Sequence, residues 1–378
     1  MKKIMIMTGE ASGDLHGANL AREIQKQDPS LALYGVGSAR MKEAGVHILA
    51  DASEISVVGL TEVMTHIGAI RRVYVMLKNF MRYERPDLLI LIDFPDFNIL
   101  LGKAAKKIGI PVLYYISPQV WAWRKKRIKT IAGLVKAIIV VFPFEVLLYE
   151  KESVDVRFVG HPLMDVVKSD LTVLQARNDL GIDAHRRTVA LLPGSRRSEI
   201  IHLLPDMLGA ARILSCRFTD LQFILPIAPT LDREFVLAFT GQAGVPLRIV
   251  EGRVYDVLKA SDAALVASGT ATLETGLMGV PMVIMYRVSP LSYFIGRRFI
   301  NVDHIGLVNI VAGRRIVPEL IQDDVTPDKI ADAVTSMLTD PVYYTRIRAD
   351  LAEMKTRLGE PGASKRAASV VRELLAGT

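Results

Sequence analysis

Ile4-Met5-Ile6-Met7-Thr8-Gly9-Glu10-Ala11-Ser12-Gly13-Asp14-Leu15-His16-Gly17 is the stretch on which the fold turns. A short apolar run closes on Gly9, and a small, polar turn then opens a helical pattern. Through residues 15–27 that pattern aligns Leu15, Ala18, Leu20, Ala21 and Ile24 as candidate buried positions. Strand, turn and helix in that order begin a βαβ unit, and the rhythm continues outward. Leu31–Val36 is strand-like. Leu88–Ile92 is wholly aliphatic between Pro86 and Pro95, which suits a strand buried on both faces. Residues 99–108 look helical up to Gly109, and 111–116, 138–141 and 157–159 read as further strands. The series predicts a mostly parallel α/β sheet with helices on both sides.

The rhythm then restarts. Residues 189–192 form a strand that leads into Pro193-Gly194-Ser195, and a helix is expected over 200–215. Residues 222–226, 247–250, 263–266 and 281–285 are the next strands, and 341–378 reads as terminal helices rich in Ala, Arg, Leu and Glu. The boundary between halves is expected between Gly160-His161-Pro162 and about residue 185, where apolar runs thin out. With 378 residues, two domains are the default expectation.

Composition narrows the class. Half the residues are apolar and 23% are charged, which excludes disorder as the main state. The longest uncharged apolar runs, such as 275–286, fall short of the roughly 18 residues of a membrane span. The start reads as a first strand and not as a signal peptide. The single cysteine, Cys216, excludes a disulfide framework and a Cys-rich zinc site, and suggests a reducing, cytoplasmic compartment. A mean hydropathy of +0.28 with a net charge of +7 is greasy and basic together. That combination points to an anionic partner without choosing among phosphate, lipid and nucleic acid. Residues 1–165 hold 22 Lys+Arg against 17 Asp+Glu, so most of the excess charge lies in the first half.

Five segments carry polar groups that a turn or helix does not need. The first is Gly9–Gly17, with Glu10, Asp14 and His16; Ser12 or Asp14 would otherwise serve as a cap beside Gly13. It is neither Gly-x-Gly-x-x-Gly nor a P-loop. The second is Asp93-Phe94-Pro95-Asp96-Phe97-Asn98, at the exit of the most hydrophobic strand. Two carboxylates there suit a general base and its neighbour, unless they cap a helix starting near residue 98. The third runs from Tyr114 through Trp121, Trp123 and Arg124 into Lys125-Lys126-Arg127 and Lys129, and suits headgroups, a sugar face or a single strand. The fourth is Gly194-Ser195-Arg196-Arg197 at a helix start, an anion site fit for a diphosphate. The fifth and most specific is Ser268-Gly269-Thr270 after a strand, with Glu274 on the following helix and then Gly279 and Pro281. Its backbone N–H groups would meet a phosphate and Glu274 a ribose. Residues 62–82 add a basic amphipathic stretch with Arg71 and Arg72, suited to an interface or to core packing. His161 and His202 lack a partner at metal-ligand spacing, so no metal site is expected.

Taken in order, these blocks resemble the lipid-A-disaccharide synthase family. The resemblance rests on Gly9–Asp14, residues 57–63, Asp93–Asn98, residues 117–124, Gly160-His161-Pro162, Leu192–Arg196, residues 267–274 and Val308-Asn309. One departure is Gly306-Leu307-Val308-Asn309, where a Leu-Pro-Asn run is more familiar. The resemblance implies a GT-B type fold: two Rossmann-like, doubly wound domains facing a cleft. It assigns residues 1–164 to the lipid acceptor, completed by returning helices over 344–378, and 165–343 to the UDP-sugar donor. The implied substrates are UDP-2,3-diacylglucosamine and 2,3-diacylglucosamine 1-phosphate (lipid X). The implied products are the β(1→6) disaccharide 1-phosphate and UDP, formed with inversion, without metal or cofactor, at the inner face of the inner membrane. Asp96 is the expected general base, with Asp93, Glu10 and His16 as rivals or orienters. Arg196, with Ser195 and Gly194, and Ser268, Gly269 and Thr270 would stabilise departing UDP. Glu274 would hold the ribose and Asn309 the nucleotide end. Ser12, Gly13, Trp121, Trp123, Arg124, Arg71 and Arg72 would face acceptor or membrane. The competing readings are another UDP-sugar enzyme, such as an undecaprenyl-linked GlcNAc transferase or a UDP-GlcNAc 2-epimerase, and a non-enzymatic binder of anionic lipid or nucleic acid.

Overall fold

Runs of aliphatic residues too short for helices and bounded by turn residues become strands once neighbours bury both faces. In the computed structural model they form two all-parallel sheets. The structure describes residues 1–9, 11–55, 60–118, 126–241, 244–289 and 303–377, with the side chains of 11 and 60–66 outside that description. Glu10, residues 57–59, Trp121, Trp123 and Arg124 therefore lie outside the described residues.

The chain divides into two compact units, Met1–Asp165 with Leu358–Thr378, and Val166–Arg357. The first unit holds β1 (Lys3–Met7), β2 (Ala32–Gly37), β3 (His47–Asp51), β4 (Leu88–Ile92), β5 (Val112–Tyr115), β6 (Ala137–Val140) and β7 (Asp155–Phe158), in the order β3-β2-β1-β4-β5-β6-β7. Ile4 of β1 sits opposite Leu33 of β2 and Leu88 of β4. Every residue of β4, β5 and β6 is buried. On one face of the sheet the core gathers Ile4, Ile6, Ile90, Ile92 and Tyr115 with Ala18, Leu20 and Ile24 of the Ala11–Gln27 helix. The same core takes Ala363, Ala367, Val371 and Leu375 from the Ala363–Ala376 helix.

The second unit holds β8 (Arg187–Leu192), β9 (Leu221–Ile227), β10 (Leu247–Glu251), β11 (Ala263–Ala267), β12 (Met282–Tyr286) and β13 (Glu319–Ile321), in the order β10-β9-β8-β11-β12-β13. Both orders start from a central strand, run outward one way, then return and run outward the other way. That is the doubly wound Rossmann arrangement.

Several expectations shift. The helix expected near residue 98 begins at Pro95, because Phe94 takes a left-handed conformation (φ 46°) that turns the chain at once. The helix expected over 200–215 spans Arg197–Arg217 and carries Pro205 inside it. The terminal segment divides. The Pro341–Arg357 helix belongs to the second unit, where Leu351 and Met354 approach Gly276, and only residues from Leu358 onward join the first.

Candidate active site

In a doubly wound sheet, ligands bind beyond the carboxyl ends of the strands where the strand order reverses. In the first unit that point lies between β1 and β4, and in the second between β8 and β11. The described residues leaving these four strands are Thr8 and Gly9, Asp93 and Phe94, 193–196, and Ser268 and Gly269. Four of the five segments singled out in the sequence thus leave the strands that flank the two reversals.

In the first unit the two loops pack on each other. A Cβ on Gly9 would fall 2.3 Å from the Phe94 ring, so only glycine fits there. The β4 exit is held in a costly conformation: Asp93 (φ 44°) and Phe94 (φ 46°) are both left-handed, as is Ile116 (φ 64°) at the end of β5. Left-handed non-glycine residues persist only where surroundings over-determine them, and they cluster at functional sites. Buried Asn98 and Tyr114 supply that constraint. Asn98 Nδ2 donates to the carbonyls of Ile92 (3.1 Å) and Asp93 (2.7 Å), and Tyr114 Oη donates to Asp93 O (2.6 Å). Burial drives the Tyr114 phenol well above its usual range, which keeps it a donor. Asp96 stands in the first turn of the Pro95–Lys107 helix, with a side chain 76% exposed and ion-paired to Arg127.

The Gly9–Gly17 segment splits by role. Asp14 faces inward and caps the Ala39–Glu43 helix, accepting from Ser38 N (2.6 Å) and Arg40 N (3.2 Å). Gly13 lets the helix rest on β1, with Thr8 Cβ 3.1 Å from where a Cβ would lie, and Ser12 is exposed. His16 is buried with no partner for Nδ1, and burial lowers its pKa to about 4. His161 is likewise neutral, its pKa lowered to about 3 first by burial and then by His16; its Nδ1 accepts from Leu163 N.

In the second unit the two helix starts differ. At the Arg197–Arg217 helix the turn N–H groups are already taken. Glu199 Oε2 accepts from Ser195 N (2.8 Å) and Arg196 N (3.2 Å), and its carboxylate fills the space beside Gly194 (φ 115°). The anion site expected at Gly194–Arg196 therefore holds the chain's own carboxylate. Arg196 keeps a half-exposed side chain 3.8 Å from Glu199, and Arg197 turns onto the Phe235 ring. At the Thr270–Leu277 helix no side chain caps the N-terminus, and Gly269 has open space where a Cβ would be. This is the helix start left open to an anion. Ser268 Oγ donates to Ile305 O (3.1 Å) and so ties the turn to the segment before the Leu307–Ala312 helix.

Glu274 is partly buried, and the lost solvation raises its pKa; Tyr255 Oη donates to its Oε1 at 2.8 Å. Tyr255 stands at the start of the Val254–Ala260 helix, and no sequence spacing announces it. Asn309 is fully committed inside the fold: Nδ2 donates to Val317 O and Glu319 Oε1, and Oδ1 accepts from the N–H groups of Ile316 and Val317. It orders the entry to β13, leaving no amide valence for a nucleotide.

The amphipathic stretch lies in the Leu60–Glu84 helix. Val73, Leu77 and Met81 are buried, while Ile67, Arg71, Arg72, Val75, Met76 and Arg82 are exposed. Ile67, expected among the apolar positions, is 64% exposed, so apolar and cationic groups share the outer face. No helix among the described residues is long and apolar enough to cross a membrane.

The sequence profile of the family described as Lipid-A-disaccharide synthetase matches residues 4–374. The lipid-A-disaccharide synthase of Geobacter sulfurreducens is 52% identical over 373 residues, covering 99% of this chain and 97% of its own. That of Syntrophus aciditrophicus is 50% identical over 375 residues, covering 99% and 98%. Among solved structures, the UDP-GlcNAc 2-epimerase of Neisseria meningitidis bound to UDP-GlcNAc superposes with a TM-score of 0.67 at 13% identity, covering 99% of this chain and 100% of that one. CalG4, the calicheamicin glycosyltransferase, gives 0.64 at 15% identity over 100% and 99% of the two chains. At such identities the likeness is one of fold, the GT-B arrangement of two Rossmann-like units. The profile match and the two relatives at half identity, each over nearly the whole chain, show that the chain belongs to the lipid-A-disaccharide synthase family.

Proposed function

We propose that this chain joins UDP-2,3-diacylglucosamine to 2,3-diacylglucosamine 1-phosphate, giving the β(1→6)-linked disaccharide 1-phosphate and UDP. The family match over residues 4–374 carries the reading. The second unit takes the donor. The open start of the Thr270–Leu277 helix receives the diphosphate, Glu274 the ribose, and Arg196 contributes by its side chain. The first unit takes the acceptor at the β1 and β4 exits. The acceptor 6-hydroxyl oxygen attacks the anomeric carbon from the face opposite the leaving group. A C–O bond forms, the bond to the β-phosphate oxygen breaks, and UDP leaves with that electron pair. The hydroxyl proton passes to Asp96, an exposed carboxylate on a rigid first turn beside the Asp93–Phe94 bend. Asp93 and His16 orient, and the exposed Ser12 lines the acceptor side, while Gly13 serves by letting the helix pack closely beneath it.

The exposed apolar and cationic face of the Leu60–Glu84 helix supports resting on the inner face of the inner membrane, where both acylated substrates reside. The 2-epimerase and undecaprenyl-linked transferase readings share the fold but lack the Asp93–Asn98 block. Incubation with both lipid substrates and mass analysis for a tetra-acylated disaccharide phosphate tests the reaction. Asp96→Ala is expected to cut turnover by about 100-fold or more while UDP still binds. Near-normal turnover in that variant removes Asp96 from the role of base.

A further inference from the structure

We infer that Tyr255 is a positioning residue for the donor's ribose: its hydroxyl fixes the Glu274 carboxylate so that the second carboxylate oxygen faces the sugar hydroxyls. The inference rests on the donor-site reading given above and adds to it a residue from a different strand–helix unit.

A carboxylate that has lost part of its water needs donors, or it protonates or turns away. Among the described residues Glu274 has one side-chain partner, Tyr255 Oη on Oε1 at 2.8 Å. Oε2 has no protein donor there, and the residue is only partly buried, which leaves that oxygen for a ligand. The spacing along the helix fits this use. Glu274 lies four residues beyond Thr270, the first residue of the uncapped helix. At a rise of about 1.5 Å per residue that is roughly 6 Å along the axis from the helix start, one turn into the helix from the end that would face the diphosphate.

Tyr255 itself is well anchored. It lies two residues beyond Arg253, which is left-handed (φ 53°) and pairs with Asp256 at 3.0 Å, holding the first turn. The hydroxyl therefore reaches Glu274 from a backbone set by β10 and its following turn, not by the helix that carries Glu274. A carboxylate with one oxygen pinned presents the other at a set angle. Without the pin it rotates freely about its last side-chain bond. The consequence is selectivity for a ribose carrying both hydroxyls, and not merely affinity for uridine diphosphate.

The test is calorimetric titration of the full chain with UDP and with 2′-deoxy-UDP, for wild type, Tyr255→Phe, Glu274→Gln and the double variant. Wild type is expected to favour UDP by about tenfold, the order of one hydrogen bond to a charged group. Tyr255→Phe is expected to lose most of that preference while binding 2′-deoxy-UDP almost as wild type does. The double variant should bind UDP no more weakly than Glu274→Gln alone, because Tyr255 acts through Glu274. Both ligands are measured on one preparation, so the ratio survives a partly unfolded sample. A Tyr255→Phe protein that keeps the UDP preference within twofold overturns the inference, as does a double variant whose losses add. A wild-type chain that binds neither diphosphate overturns the donor-site reading and this inference with it.

Discussion

His16 shows how a residue at the candidate site shapes the stability of its unit. Its imidazole is buried and neutral, with a pKa lowered to about 4, whereas the unfolded chain protonates near 6.5. The unfolded state therefore binds more protons as pH falls. The contribution is complete above pH 6.5 and is lost progressively as pH drops toward about 4. At about pH 5 the loss is about 2 kcal/mol relative to neutral pH. Urea unfolding of wild type and His16→Leu at about pH 7.5 and about pH 5 measures it, and the variant's drop should be smaller by that amount. Equal drops would show that His16 is not titrating as a buried neutral group. The residue scale is also where sequence reading was least complete. Asp14 and Asn309 are polar residues inside distinctive motifs, and spacing alone makes them look ligand-facing. In the fold each closes a backbone: Asp14 caps a helix from another βα unit, and Asn309 orders the entry to β13. The anion site expected at Gly194–Arg196 is likewise filled, by Glu199. Which side of a turn a side chain satisfies depends on segments far away in sequence, and Tyr255 on Glu274 is the same problem in reverse.

At the scale of elements the reading was more legible, because hydrophobic runs and turn residues are local. The strands that flank both reversals were all visible as aliphatic runs. β3 and β13 were not, since they are partly exposed edge strands with mixed composition. Nothing in the sequence separated the two helix starts of the second unit. A glutamate three residues past Arg196 closes one, while the start at Thr270 has no capping side chain. The Leu60–Glu84 helix carries a prediction of its own. If its outer face meets anionic lipid, Arg71 and Arg72 each contribute about 1 kcal/mol near the surface. The Arg71→Glu/Arg72→Glu variant should then bind anionic vesicles about 30-fold or more weakly, and added salt should shrink the difference. Neutral vesicles should not distinguish the two proteins. Unchanged sedimentation with anionic vesicles would place membrane contact elsewhere on the first unit.

For the molecule as a whole, the amphipathic pattern over 341–378 announces helices but not where the chain changes units, because both helices have a buried face. The change is set by what those faces meet. Ile347, Leu351 and Met354 are buried in the second unit, whereas Ala363, Ala367, Ala368, Val371 and Leu375 are buried in the first, against the helix that starts at the β1 exit. Within the first unit the returning segment is fastened closely. His161 N donates to Leu358 O (2.8 Å), Asp165 accepts from the N–H groups of Gly362 and Ser364, and Arg366 collects the carbonyls of Val159, Glu360 and Pro361. A Cβ on Gly359 (φ 81°) would lie 3.1 Å from Gly160 Cα, so the two backbones meet where glycine is needed on both counts. A chain ending at Arg357 loses all of this. Burial of Val370, Val371 and Leu375 at about 1.5–3 kcal/mol each is comparable to the entire stability of a domain, about 5–15 kcal/mol. The expected outcome is a first unit open to proteolysis and inactive in transfer. The second unit has a sheet and core of its own, so UDP binding should persist with near-normal affinity. Measuring protease sensitivity, UDP titration and turnover on the truncated chain separates these effects. Retained turnover would mean that the Ala363–Ala376 helix is dispensable, contrary to its place in the core.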